Sequence, residues 1–249
     1  MRLARVFHDG DARYGIVHEN VITLISDEPF ASWEIDGELP LAHAEFLAPV
    51  IPTKIVCVGL NYKSHAKEMD LKLPEEPVIF LKPPTSINGT NGTIHIPPMS
   101  QRVDYEAELA VVMGRHCRDI APDEAEGHIL GYTCANDVTA RDLQAKDGQW
   151  TRAKGFDGFC PLGPWVETEL NPLDLAVEAR VDGVVVQSAR TSDMVFDVFE
   201  LVSFVSQVMT LLPGDVVLTG TPGGIGPMAS GSVVEVEVEG IGVLVDRVV

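Results

Sequence analysis

Two glutamates spaced two apart, Glu106 and Glu108, head the apolar run Val-Asp-Tyr-Glu-Ala-Glu-Leu-Ala-Val-Val-Met that begins at Val103. Side chains on a strand alternate between faces, so this spacing puts both carboxylates on one face. Like charges that close repel unless a cation separates them. A third acid, Asp137, follows another apolar stretch that ends in Ala135-Asn136. Three carboxylates with no cluster of cysteine or histidine suit a hard, oxygen-preferring ion such as Mg2+ or Mn2+, with water completing its shell. A solvated strand edge is the competing reading, of the kind that Glu235, Glu237 and Glu239 present near the C-terminus. The run behind Glu108 is too apolar for an edge, which favours the metal.

His65 and Glu68 lie in Asn-Tyr-Lys-Ser-His-Ala-Lys-Glu-Met. On a helix, positions i and i+3 share a face, so the carboxylate can touch the imidazole or share a water with it. The same spacing also gives ordinary surface ion pairs. Lys154 stands in Trp-Thr-Arg-Ala-Lys-Gly, flanked by glycine and aromatic residues rather than by other charges. It can clamp a substrate carboxylate or an enolate, or it can be a surface lysine. The loop Thr219-Gly-Thr-Pro-Gly-Gly-Ile-Gly226 lacks the Gly-Lys-Ser/Thr ending of a phosphate loop. Its hydroxyls and backbone N–H groups suit a carboxylate, and a tight structural turn accounts for it equally. No serine sits in a Gly-x-Ser-x-Gly elbow and no cysteine has a supporting motif, which disfavours serine or cysteine nucleophiles.

These residues need strands to carry them. Arg2–Phe7, Tyr14–Val17 and Val21–Ile25 read as short strands of a small first unit, residues 1–49. The hinge Pro49-Val-Ile-Pro52 then opens a second unit, residues 50–249. Within it, strands are expected at Lys54–Val58, Val78–Leu81, Glu108–Met113, Ile129–Ala135, Val216–Thr219 and Val233–Val238. Val177–Val181 and Val184–Gln187 flank Asp182-Gly183, a strong hairpin signal. Helices are expected over Asn61–Met69 and Val195–Leu211, the latter with an apolar stripe of core character. Strands outnumber helices without βαβ alternation, so the fold class is mixed α+β and β-rich rather than doubly wound.

The formal charge of −19, from 37 acidic and 18 basic residues, repels phosphate backbones and anionic membrane faces. Neither nucleic acid nor membrane is expected as a partner, and an anionic substrate would need a local cation. No apolar run approaches a membrane span and the N-terminus has no secretory pattern. Four cysteines without a Cys-x-x-Cys pair read as reduced structural thiols, and the expected location is cytoplasmic.

Five stretches, in this order, resemble the fumarylacetoacetate hydrolase family: Gly59–Glu68, Val103–Leu109, Asn136–Gln144, Trp150–Gly155 and Thr219–Gly226. The resemblance spans residues 52–249. It implies a mixed β-roll core, usually dimeric, with Mg2+ or Mn2+ held by Glu106, Glu108 and Asp137. His65 and Glu68 fall on the family's water-activating dyad, carried by a segment that orders over bound ligand. Lys154 falls on its substrate lysine, Arg141 and Gln144 in the block that lines the pocket, and Thr221 on the loop that holds a substrate carboxylate. The first 49 residues resemble the small N-terminal domain of many bacterial members.

Members of that family hydrolyse C–C bonds of 2,4-dioxo acids, decarboxylate or tautomerise oxaloacetate-like acids, or isomerise unsaturated 2-hydroxy diacids. Because the dyad is present, the expected activity is hydrolysis of an acylpyruvate-type 2,4-dioxo acid through a metal-stabilised enolate. Decarboxylation or isomerisation of 2-oxo or 2-hydroxy-diene dicarboxylates is the alternative. A non-catalytic binding module on the same fold is a third reading.

Overall fold

The computed structural model describes all residues, 1–249, and is built mainly of strands. A twelve-stranded sheet forms its spine. Its order from one edge is Ile35–Pro40, Val21–Ile25, Asp11–Val17, Arg2–His8, Cys160–Glu167, Ile129–Asn136, Ala107–Met113, Val216–Leu218, Ile55–Gly59 and Val78–Lys82. Two short strands, Glu45–Leu47 and Ile87–Asn88, attach beside Arg2–His8 and Cys160–Glu167. A five-stranded sheet, in the order Val184–Arg190, Ala176–Val181, Val233–Val238, Gly242–Val248 and Gly92–Ile94, and the helix Val198–Val208 contribute to the main core with the large sheet. A three-stranded sheet of Thr139–Ala140, Val103–Tyr105 and Gly226–Pro227 lies at the site end.

The strand Ala107–Met113 shows why its sequence lacks alternation. Leu109, Val111 and Met113 enter the main core, while Ala110 and Val112 enter a second cluster with Ile55, Cys57 and Leu162. A strand buried on both faces reads as a continuous apolar run. The expected hairpin is present, and both of its turn residues are left-handed, Asp182 at φ 51° and Gly183 at φ 78°. The helix predicted from Val195 begins later, because the Asp197 side chain accepts the N–H groups of Phe199 and Glu200, both at 2.9 Å, and so caps it.

Several elements departed from expectation. Cys160–Glu167 sits deep in the large sheet although Pro161, Gly163 and Pro164 argue against a strand there. Its ladder to Ile129–Asn136 shifts register between Tyr132 and Cys134, so a regular row of N–H donors is not demanded of it. Arg141–Asp147 and Thr151–Lys154 are helices too short to leave a periodic signature. The N-terminal strands have a small apolar cluster of their own around Val6, Ile22 and Leu24. They nevertheless continue the large sheet, with Arg2 opposite Glu167 and Leu3 opposite Val166. No helix is long and apolar enough to cross a membrane.

Candidate active site

The three acids singled out by spacing converge. Ala107 pairs with Asn136 and Glu108 with Ala135, and the Asp137 N–H donates to the Glu106 carbonyl at 2.9 Å. This ladder sets Glu106, Glu108 and Asp137 side by side, all buried, with one carboxylate oxygen from each within 4.8 Å of the others. The solvated-edge reading of Glu106 and Glu108 is thereby excluded.

Cations crowd the cluster unevenly. Lys154 Nζ donates to Asp137 Oδ2 at 2.6 Å and to Glu106 Oε2 at 2.9 Å. Arg141 reaches Glu106 and also donates from Nε to Asp104 Oδ2 at 2.9 Å. Lys82, fully buried, pairs with Asp137 and donates to the Val138 carbonyl at 3.1 Å. Glu108 has no such cation, and its Oε2 accepts only the Gly220 N–H, at 2.6 Å. Glycine is required at that loop position, since φ is +95° and a Cβ would lie 2.8 Å from the Asn61 Cβ.

The proton affinities follow these contacts. Burial alone would raise the Glu106 carboxyl, but the charges and hydrogen bonds of Lys154 and Arg141 outweigh it and bring it down to about 2. Burial would likewise lower the Lys154 ammonium, and Asp137 and Glu106 instead hold it above its usual range. At Glu108, burial and then the charges of Asp137 and Glu106 push the carboxyl well above the usual carboxylate range. The cluster is therefore short of positive charge at Glu108. An all-oxygen donor set lacking one cation fits a divalent ion of the Mg2+ or Mn2+ type.

One cavity of about 410 Å3 gathers the rest. His65, Arg141, Gln144, Lys154 and Thr221 line it together with the three acids. Glu68 does not line it and stands behind His65, with Oε2 3.3 Å from Nδ1. Glu68 also accepts the Gly224 N–H at 3.1 Å, and Ser64 Oγ accepts that of Gly223 at 3.1 Å, so the helix Lys63–Glu68 is tied to the glycine-rich loop. On the helix Arg141–Asp147, Arg141 Nη1 donates to Gln144 Oε1 at 2.6 Å, which joins two of its three pocket-lining residues.

Sequence reasoning did not single out Lys82, Asp104 or Gln187. A lone lysine ending the apolar run Val-Ile-Phe-Leu-Lys was a usable signal for Lys82, and period two from Glu106 was one for Asp104. Nothing in the hairpin sequence marks Gln187.

Residues 54–249 match the model of the fumarylacetoacetate (FAA) hydrolase C-terminal domain. The chain belongs to the fumarylacetoacetate hydrolase family. Residues 1–49 match an Rv2993c-like N-terminal domain. Among solved structures, this family member is similar to 5-carboxymethyl-2-hydroxymuconate delta-isomerase from Mycobacterium smegmatis, with 46% identity, TM-score 0.94, and 100% of this chain and 99% of that one covered. It is also similar to 2-hydroxyhepta-2,4-diene-1,7-dioate isomerase from Mycobacterium marinum, with 46% identity, TM-score 0.93, and coverage of 100% and 98%. Oxaloacetate tautomerase FAHD2A, mitochondrial, of Homo sapiens is 45% identical over 85% of this chain and 71% of its own length.

Proposed function

We propose that this member of the family is a metal-dependent enzyme that moves a proton at the carbon beside the carbonyl of a 2-oxo acid, passing through the enolate. The observation that carries this reading is the meeting of three buried carboxylates, Lys154 and His65 in one cavity. Glu106, Glu108 and Asp137 would hold Mg2+ or Mn2+, which when bound supplies Lewis-acid stabilisation of the negative charge that builds on the substrate.

The chain's own groups do the remainder. Lys154 is a fixed ammonium in a buried setting, suited to hold an enolate or carboxylate oxygen. His65 faces the cavity and accepts or returns the proton, while Glu68 orients its ring from behind. Arg141, anchored on Asp104, and its partner Gln144 position the substrate. Thr221 contributes its place on the wall rather than its hydroxyl proton, which is donated to the Ala107 carbonyl at 2.9 Å. The names of the tautomerase and isomerase relatives support proton transfer as the reaction. In this reading the partner is a small oxo acid and the working unit a homodimer.

Hydrolysis of an acylpyruvate-type 2,4-dioxo acid is the second reading, favoured by the His65–Glu68 pair, which can also deprotonate a water. One panel separates them. Oxo-acid enols and acylpyruvates are incubated with Mg2+ or Mn2+, and ketonisation is read against release of pyruvate. Turnover that disappears with a chelator and in His65→Ala supports the assignment. An absence of turnover at saturating metal across the panel would leave a binding module.

A further inference from the structure

The cavity lining holds two unlike sets of side chains. Its cationic or protonatable bases are His65, Arg141 and Lys154, and Arg141 and Lys154 are already paired with acids. Its apolar lining includes Leu60, Met69, Leu71, Phe80, Ala145 and Trp150. Phe80 and Trp150 meet edge to face, with ring centroids 5.0 Å apart and planes at 80°. Lys154 Nζ lies 5.1 Å from the Phe80 centroid, so the aromatic wall begins directly beside the lysine head. Gly59 leaves room for the indole, since a Cβ there would lie 2.7 Å from Trp150 Cζ3.

Resting on the enolate reading above, we infer that this pocket selects 2-oxo acids whose far substituent is uncharged and flat, aromatic above all, and discriminates against diacids. Phe80, beside Lys154, and Trp150, in contact with Phe80, offer an apolar surface to the tail of an acid whose 2-oxo carboxylate engages Lys154. A second carboxylate there would leave water for an apolar surface whose neighbouring cation, Lys154, is already paired with Glu106 and Asp137, inside a chain of net charge −19. A phenyl ring would stack on that wall and displace loosely held water instead. The volume, about 410 Å3, falls within the ~300–1,000 Å3 of pockets that hold drug-sized ligands, more than a four-carbon diacid fills. The four-carbon diacid named in the tautomerase relative is thus not the best fit for this chain.

The test compares ketonisation of enol-phenylpyruvate with that of enol-oxaloacetate, using the full chain with saturating Mg2+. The expected kcat/KM favours phenylpyruvate by about tenfold or more, the scale of one mismatched pocket contact. Trp150→Ala should lower the phenylpyruvate value by about tenfold more than the oxaloacetate value. Leu71→Lys, at a residue 55% exposed and so tolerant of charge, should shift the ratio several-fold toward oxaloacetate without unfolding the protein. It decides the matter if the tryptophan variant fails to fold. Equal or better turnover of oxaloacetate by the wild type, or an unchanged ratio in Leu71→Lys, would overturn the inference while leaving the enolate reading intact. No turnover of either acid overturns that reading and the inference with it.

Discussion

Gln187 Nε2 donates to Thr221 Oγ1 at 2.8 Å and to the Pro222 carbonyl at 2.9 Å, while its Oε1 accepts the Ala107 N–H at 2.9 Å. One buried amide from the hairpin thus ties the glycine-rich loop to the strand that carries Glu108. Gln187→Leu strands a buried N–H and a buried carbonyl, which should cost about 1–3 kcal/mol of stability. It should also raise KM more than it lowers kcat, because Thr221 loses its register on the wall. Thermal denaturation together with steady-state kinetics checks both effects, and an unchanged KM would reduce Gln187 to a packing residue.

Glu108 lacks a cation, so its replacement should act with opposite signs in the two metal states. Glu108→Gln removes a buried carboxylate whose ionisation is opposed by burial and by its two acidic neighbours. The metal-free variant should therefore melt above the metal-free wild type. Its affinity for Mn2+ should drop by about a hundredfold, and with it the stabilisation that metal confers on the folded chain. Calorimetric titration and melting with and without Mn2+ would reveal a wrong assignment as equal affinity in the two proteins.

His65 faces the cavity and Glu68 stands behind it, which ranks their variants. His65→Ala should lower kcat by about two to four orders of magnitude, the usual worth of a positioned acid or base. Glu68→Gln should lower it less, since the imidazole remains in the pocket and loses only its orienting carboxylate. Equal loss in both would mean that Glu68 itself touches the transferred proton or a water.

Oxalate copies the plane and paired oxygens of a pyruvate enolate but cannot react. It should compete with substrate, bind only in the presence of the divalent metal, and bind markedly less well to Lys154→Met. Titration of the three forms measures this directly. Equal binding by all of them would remove the enolate site from this cavity.

Asp246 lies in the core on the strand Gly242–Val248, 1% exposed, with its Oδ1 unpartnered. Burial pushes its carboxyl up to about 8, opposed only by the Gly92 N–H. The folded value thus exceeds the unfolded one of about 3.9, so the native state binds more protons between them. Stability should fall as pH rises from about 4 through 8 on account of this group. Asp246→Asn should remove that dependence and stabilise the protein at pH 8.5 by about 1–3 kcal/mol, with little gain at acidic pH. Denaturant melts across this range would show parallel curves if Asp246 were unimportant.

The amino-acid order by itself determined the local chemistry. Period two placed Glu106 and Glu108 on one face, the i,i+3 spacing let His65 and Glu68 meet, and Asp182-Gly183 specified a left-handed hairpin turn. Each of these depends on neighbours within a few residues, where backbone geometry leaves few choices. Only the tertiary structure decided which strands pair, and so which acid joins the glutamates. Asp137 reaches them because Asn136 lies opposite Ala107, a register that no periodicity encodes. Lys82 meets Asp137 across 55 residues and Gln187 meets Ala107 across 80, each from a strand whose own pattern says nothing of its target. Cys160–Glu167 became a deep strand against the preference of its prolines, because burial between Arg2–His8 and Ile129–Asn136 outweighs local propensity. The mixed lining of the cavity arises the same way, from side chains that only the folded chain brings together.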